Sequence, residues 1–173
     1  MVCLNIILLT HEREFERVSN TGQWVINALP LRSERRLWSR TAPDQALVND
    51  LASGKARLVF PSSEITNTSL MDADTNANSC KHANFVSTLE CTALVLIDAT
   101  WQEARKMWRQ SPYLQQASLY PLLPTEPSQY ALRRNQVPSG LSTAECVIAL
   151  FKQLNEPDNA DIIQQVFEQM NQR

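Results

Sequence analysis

Glycine is scarce in this 173-residue sequence, which has only Gly22, Gly54 and Gly140. They lie too far apart to compose G-x-G-x-x-G or G-x-x-x-x-G-K, so phosphate binding through a glycine-rich loop is excluded. Cysteine is sparse as well. Cys3, Cys80, Cys91 and Cys146 form no C-x-x-C pair, which argues against a zinc ribbon or a thioredoxin-like motif. Cys91 and Cys146 stand in apolar stretches and read as small core hydrophobes. The two histidines, His11 and His82, have no metal-ligating partner at useful spacing, so no metal is expected. No apolar run reaches the roughly 18 residues of a membrane helix. The opening VCLNIILLTH also lacks the basic start of a signal peptide. These features predict a soluble cytoplasmic protein with no membrane partner. An excess of positive charge is missing too: 16 bases against 18 acids give a net charge of −2. A generic nucleic-acid-binding domain would be more basic.

What is present is an alternation of strand-like and helix-like segments within a length suited to one domain. Val2 to Leu9, broken only by Asn5, and Thr92 to Ile97 are apolar runs, the pattern of strands buried on both faces of a parallel sheet. Ala56 to Phe60 is a shorter strand, cut by Pro61. Helices are expected over Trp24–Leu29, Pro43–Ala52, Gln102–Arg109, Ser142–Leu154 and Asp158–Met170. The polar stretch 62–82 reads as an exposed loop, and the Pro-rich stretch Pro112–Pro127 as largely irregular. The basic segment Arg32–Trp38 has no clear assignment. The pattern predicts a single α/β domain over residues 1–173, with a mostly parallel sheet flanked by helices.

In such sheets ligands collect at the carboxyl ends of the strands. Three constellations fall there or close by. Asp98-Ala99-Thr100-Trp101 ends the strongest strand: a partly desolvated carboxylate, a hydroxyl able to cap the next helix, and an indole face for stacking. An Asp capping its helix beside a core Trp would look the same. Ser139-Gly140-Leu141-Ser142-Thr143 runs into a helix start whose amides can take a carboxylate or a ribose oxygen. Ser142 and Glu145 also have the spacing of a capping box, and both readings can hold together. Arg17 with Ser19-Asn20-Thr21-Gly22 offers a grip for phosphate, or simply an ordinary helix start.

Charge is segregated along the chain. Residues 99–140 hold five bases (Arg105, Lys106, Arg109, Arg133 and Arg134) against two acids. Residues 1–60 hold eight bases against six acids, four of the bases at Arg32, Arg35, Arg36 and Arg40. The remaining stretches carry three bases and ten acids. A local basic surface can bind a polyanion although the total is slightly negative.

IDATWQEARKM, then YPLLP, YALRR and PSGLSTAECVIAL, together resemble the DTW-domain family of tRNA-uridine aminocarboxypropyltransferases, named for the Asp-x-Thr-Trp seen here as Asp98, Thr100 and Trp101. Thr10-His11-Glu12-Arg13-Glu14, Arg17-x-Ser-Asn-Thr-Gly and Leu58-Val59-Phe60-Pro61 extend the resemblance over most of the chain, in order. Many relatives carry a cysteine cluster before the first strand, where this sequence has only Cys3.

The resemblance implies a fold related to the SPOUT superfamily, with a C-terminal trefoil knot. It implies transfer of the 3-amino-3-carboxypropyl group of S-adenosylmethionine to N3 of a tRNA uridine, with methylthioadenosine released. Asp98, Thr100 and Trp101 are then catalytic, with Asp98 the candidate base for the N3 proton. Pro61, Ser139, Gly140, Leu141, Ser142, Thr143 and Glu145 would line the S-adenosylmethionine site. Arg17, Asn20, Thr21, Arg105, Arg109, Arg133 and Arg134 would meet tRNA. On this reading Asp98→Ala abolishes turnover and keeps the fold. A SPOUT-like RNA methyltransferase and a non-catalytic RNA-binding module are the alternatives, and both monomer and oligomer stay open.

Overall fold

The structure is a computed structural model, and it describes residues 4–61, 91–123, 127–130 and 140–172. The elements run β1 (Asn5–Thr10), α1 (Glu12–Phe15), α2 (Thr21–Ala28), β2 (Ser33–Leu37), α3 (Gln45–Ala52), β3 (Ala56–Pro61) and β4 (Ala93–Asp98). They continue with α4 (Trp101–Arg109), α5 (Pro112–Gln115), β5 (Leu119–Leu122), α6 (Thr143–Gln153) and α7 (Pro157–Asn171). Five parallel strands lie in the order β2-β1-β4-β3-β5.

The apolar runs have a simple cause. Successive strand residues point to opposite faces, and helices cover both faces, so neither set of side chains meets water. Ile6 and Leu8 join Leu94 and Leu96 in one layer, packed on Trp24 and Val25 of α2, Val147 and Phe151 of α6, and Ile163 and Phe167 of α7. Ile7 and Leu9 join Val95 and Leu58 in the other, packed on Leu47 and Leu51 of α3, Met107 of α4 and Leu114 of α5.

The helices start where their caps dictate. Asn20 accepts the Gln23 amide, so α2 begins at Thr21, ahead of the expected Trp24. Complete capping boxes, Thr100 with Glu103 and Ser142 with Glu145, open α4 and α6. Pro157 stands in the first turn of α7, where its missing N–H costs nothing.

Two segments differ from the sequence expectation. Arg32–Trp38 contains β2, a charged strand tolerated because it lies at the sheet edge with only β1 beside it. The Pro-rich stretch is only partly irregular, since it holds α5 and the edge strand β5, where Pro121 removes no ladder bond from a central position. The loop expected over 62–82 lies outside the described residues. The described residues establish the parallel α/β domain, whereas a C-terminal knot turns on segments that include 131–139, also outside them.

Arg32 ties the amino end of the sheet to the last helix. Its guanidinium donates to the Leu4 carbonyl at 2.9 Å, pairs with Glu156 at 3.0 Å, and lies over the Phe151 ring. Phe151 is fully buried against the β1/β4 layer. Phe151→Ala should lower stability by about 3–5 kcal/mol through lost burial and the cavity left behind. Urea unfolding measures this, and a loss below about 1 kcal/mol would mean that α6 is not the main cover of this face.

Candidate active site

β1 and β4 end side by side, with Thr10 opposite Asp98 in the ladder. The β4 run turns polar at this point, and Asp98 is only 1 % exposed. A buried carboxylate must be hydrogen-bonded, and this one is saturated. Thr10 Oγ1 donates to Oδ2 at 3.0 Å, Thr143 Oγ1 to Oδ1 at 2.8 Å, and Asn20 Nδ2 to both oxygens at 3.1 Å. Arg35 from β2 adds its charge, with its Nη2 at 3.6 Å from Oδ2. Burial pushes the Arg35 guanidinium down from its ordinary value, and the neighbouring Asp98 charge works the other way.

Two helix starts converge on this carboxylate. Asn20 caps α2, and Thr143 is the first residue of α6. Thr21 Oγ1 accepts the Ala144 amide at 3.2 Å and joins the two helix starts directly. The positive ends of both helices thus face one negative charge. Such close approach requires Gly22. A Cβ there would lie 2.6–2.7 Å from the carboxylate atoms of Asp98.

Beyond Thr143 a cleft opens at the carboxyl ends of β3, β4 and β5. It spans about 550 Å³ with its open mouth included. Its walls are mostly apolar (Val59, Leu96, Leu122 and Leu141 among them), and Trp101 and Thr143 also line it. Trp101 Nε1 is buried with no hydrogen-bond partner among the described residues, an unpaired donor on a side chain that lines the cleft.

On the other side of Asp98, His11 caps α1 by accepting the Arg13 amide and stacks on Trp38, ring centroids 5.5 Å apart. Trp38 Nε1 in turn donates to Ser111 Oγ at 2.9 Å. Tyr130 Oη donates to the Ser19 carbonyl at 2.6 Å, which draws residues 127–130 toward the start of α2.

The residues singled out in the sequence fall into distinct places. Asp98, Thr143, Asn20 and Thr21 form one buried cluster. Asn20 and Thr21 are therefore turned inward. Thr100 and Glu103 serve the α4 cap, while Trp101 and Leu141 line the cleft. Ser142 and Glu145 close the α6 cap, and Glu145 also accepts Ser128 Oγ at 2.8 Å and the Gln129 amide at 2.6 Å. Its carboxylate is thus engaged with the chain itself. Gly140 is buried ahead of α6, and Pro61 ends β3 in register with Leu122. Arg17 is half-exposed and paired with the buried Glu14. Arg105 and Arg109 lie one turn apart on the exposed surface of α4. Ser139, Arg133 and Arg134 lie outside the described residues.

Sequence reasoning missed Arg35 as the ionic partner of Asp98. Ser33, Arg35 and Leu37 alternate with Glu34 and Arg36, a period-two signal masked by the charge of the segment. The basic cluster at 32–40 is also largely consumed: Arg32 pairs with Glu156, Arg35 with Asp98, and Arg36 with Glu34 and Asp44. Among the described residues no group of three or more His, Cys, Asp or Glu side chains is arranged to hold a metal ion. None of the described helices is long and apolar enough to cross a membrane.

The geometry fixes the sign of two substitutions. Gly22→Ala should destabilise the protein by about 1–3 kcal/mol, although alanine in an unhindered helix is favourable relative to glycine. Asp98→Ala leaves Arg35 buried without its ion pair and takes the acceptor from Asn20 Nδ2 and Thr143 Oγ1, whereas Thr10 Oγ1 keeps the Leu8 carbonyl at 3.3 Å. It should cost about 3–5 kcal/mol, so loss of turnover in this variant is to be read together with its melting temperature. Thermal melting of both variants measures these effects, and an unchanged melting temperature in either would contradict the convergence described.

A model of the DTW domain family matches residues 2–173, and no solved structure matches the chain. The family is associated with tRNA modification. The matched span takes in the strand ends, both converging helix starts and the cleft, and on that basis the chain belongs to the DTW-domain family.

Proposed function

We propose that this protein transfers the 3-amino-3-carboxypropyl group of S-adenosylmethionine to N3 of a tRNA uridine, leaving methylthioadenosine. The observation that carries this reading is the cleft. Its floor is the carboxyl edge of a parallel sheet, and its walls are α4 and the start of α6. The residues fit the donor substrate in kind. Apolar walls and the Trp101 indole suit an adenine. The sulfonium supplies its own leaving group, so the work left to the protein is positioning and proton handling.

Asp98 acts in this scheme chiefly as an organiser. It locks Thr143, Asn20 and Thr10 in place and holds the α6 start against the cleft. Rigid placement of the reacting carbon against N3 is where much of the rate acceleration would arise. Arg105, Lys106 and Arg109 are exposed along α4, the helix that begins with Trp101 at the cleft, and they offer phosphate contacts to an RNA strand.

Incubation with tRNA and S-adenosylmethionine labelled in the carboxypropyl chain should label the RNA and release methylthioadenosine. Transfer of label only from the methyl group would make the protein a methyltransferase, and tRNA binding with no transfer would make it a binding module. Arg105→Ala and Arg109→Ala should each weaken tRNA binding at moderate salt and lower the slope of log affinity against log salt by about 1. Unchanged slopes would place the RNA on another face.

A further inference from the structure

We infer that Thr143 is the first acceptor of the uridine N3 proton, and that it passes its own hydroxyl proton to Asp98. This rests on the aminocarboxypropyl transfer proposed above and gives that reaction its proton path. The nucleophile is a nitrogen that carries a proton, and the cleft walls are mostly hydrocarbon. Asp98 itself is 1 % exposed, with its oxygens occupied by Thr10, Asn20 and Thr143, so direct contact with a substrate would require the network to open.

Thr143 stands between the two. It lines the cleft, and its Oγ1 donates to Asp98 Oδ1 at 2.8 Å. A hydroxyl has one proton and two lone pairs. With the proton committed to Asp98, Oγ1 can meet a ligand only as an acceptor. An N–H placed in the cleft satisfies it, whereas a carbonyl in the same place does not.

The step balances. The N3–H bond breaks as N3 bonds to the carbon attached to sulfur, and that carbon–sulfur bond breaks with its electron pair going to sulfur. The sulfonium becomes the neutral thioether of methylthioadenosine. The N3 proton forms a new O–H bond on Thr143, and the former hydroxyl proton of Thr143 moves to Asp98 Oδ1. Asp98 later returns a proton to solvent. The surrounding donors need not move: Thr10 and Asn20 still face Oδ2, and Arg35 keeps hydrogen bonds to Asn20 Oδ1 at 2.6 Å and Gln23 Oε1 at 2.8 Å. The protonated carboxyl is short-lived, because it removes the counter-charge of the buried Arg35.

The test compares Thr143→Val, which keeps the shape and removes the hydroxyl, with Thr143→Ser, which restores it. Under single turnover, Thr143→Val should lose about 100-fold or more in rate, while Thr143→Ser stays within about tenfold of the parent. Calorimetry measures the S-adenosylmethionine affinity of all three proteins, and the rates are compared at saturating S-adenosylmethionine, where a proton-transfer defect persists and a binding defect does not. A proton inventory in mixed light and heavy water should be curved for the parent, reporting two protons in flight. Infrared difference spectra during turnover should show a transient protonated carboxyl in the parent and none in Thr143→Val.

A near-parent rate for Thr143→Val would overturn the relay. So would a rate loss that vanishes at saturating S-adenosylmethionine, or a linear inventory with no carboxyl band. If the parent releases no methylthioadenosine with tRNA although it binds S-adenosylmethionine, the proposed transfer itself fails, and the relay fails with it.

Discussion

One buried carboxylate governs the architecture around the cleft. Asp98 ends the central strand β4, and β1, β2, α2 and α6 each send a group to it: Thr10, Arg35, Asn20 and Thr143. Burying such a charge is unfavourable unless every lone pair and counter-charge is supplied. The chain supplies them from residues 10 to 143, so this interaction exists only when the whole sheet and both helices are in place. It makes the site a consequence of folding as a unit. Gly22 shows how tight the arrangement is, because even a methyl group there would collide with the carboxylate.

The same network divides the carboxyl edge of the sheet in two. Toward β5 the surface is apolar and open, with Trp101 and Thr143 as its polar marks. Toward β2 it is polar and packed, with His11 stacked on Trp38 and Arg35 lying over the Phe15 ring. The cleft opens on the first side, and the second packs against it as support. The capping boxes of α4 and α6 serve the same end, since a frayed first turn would move Trp101 or Thr143 directly.

The charge of the molecule takes on a different meaning once pairing is known. A net charge of −2 argues against a generic nucleic-acid binder, and the basic run at 32–40 argues back. That run is mostly spent inside the protein: Arg32 anchors α7, Arg35 neutralises Asp98, and Arg36 bridges Glu34 and Asp44. Under the proposed function, the exposed bases of α4 are the surface offered to a polyanion. Local placement decides this, because screening limits each charge to roughly 10 Å at moderate salt.

Much of this protein was legible from its residues in order. The apolar runs of β1 and β4 announce a sheet covered on both faces, because only residues shielded on alternate sides are all apolar. The hydroxyl-to-glutamate spacings announce the starts of α4 and α6, because capping is a local interaction within four residues. DATW with PSGLSTAE points to the family, and Asp98 at a strand end points to the site. The edge strands were not legible: β2 is charged and β5 contains Pro121, and both depend on a neighbour distant in sequence for their hydrogen bonds. Nor was the role of Asp98. Local sequence presents it as a carboxylate meeting solvent, and only the approach of Thr10, Asn20, Arg35 and Thr143 turns it into a buried hub. Backbone patterning and caps act over a few residues and can be read in one dimension. The satisfaction of a buried charge acts across 88, 78, 63 and 45 residues of chain, and only the folded arrangement decides it.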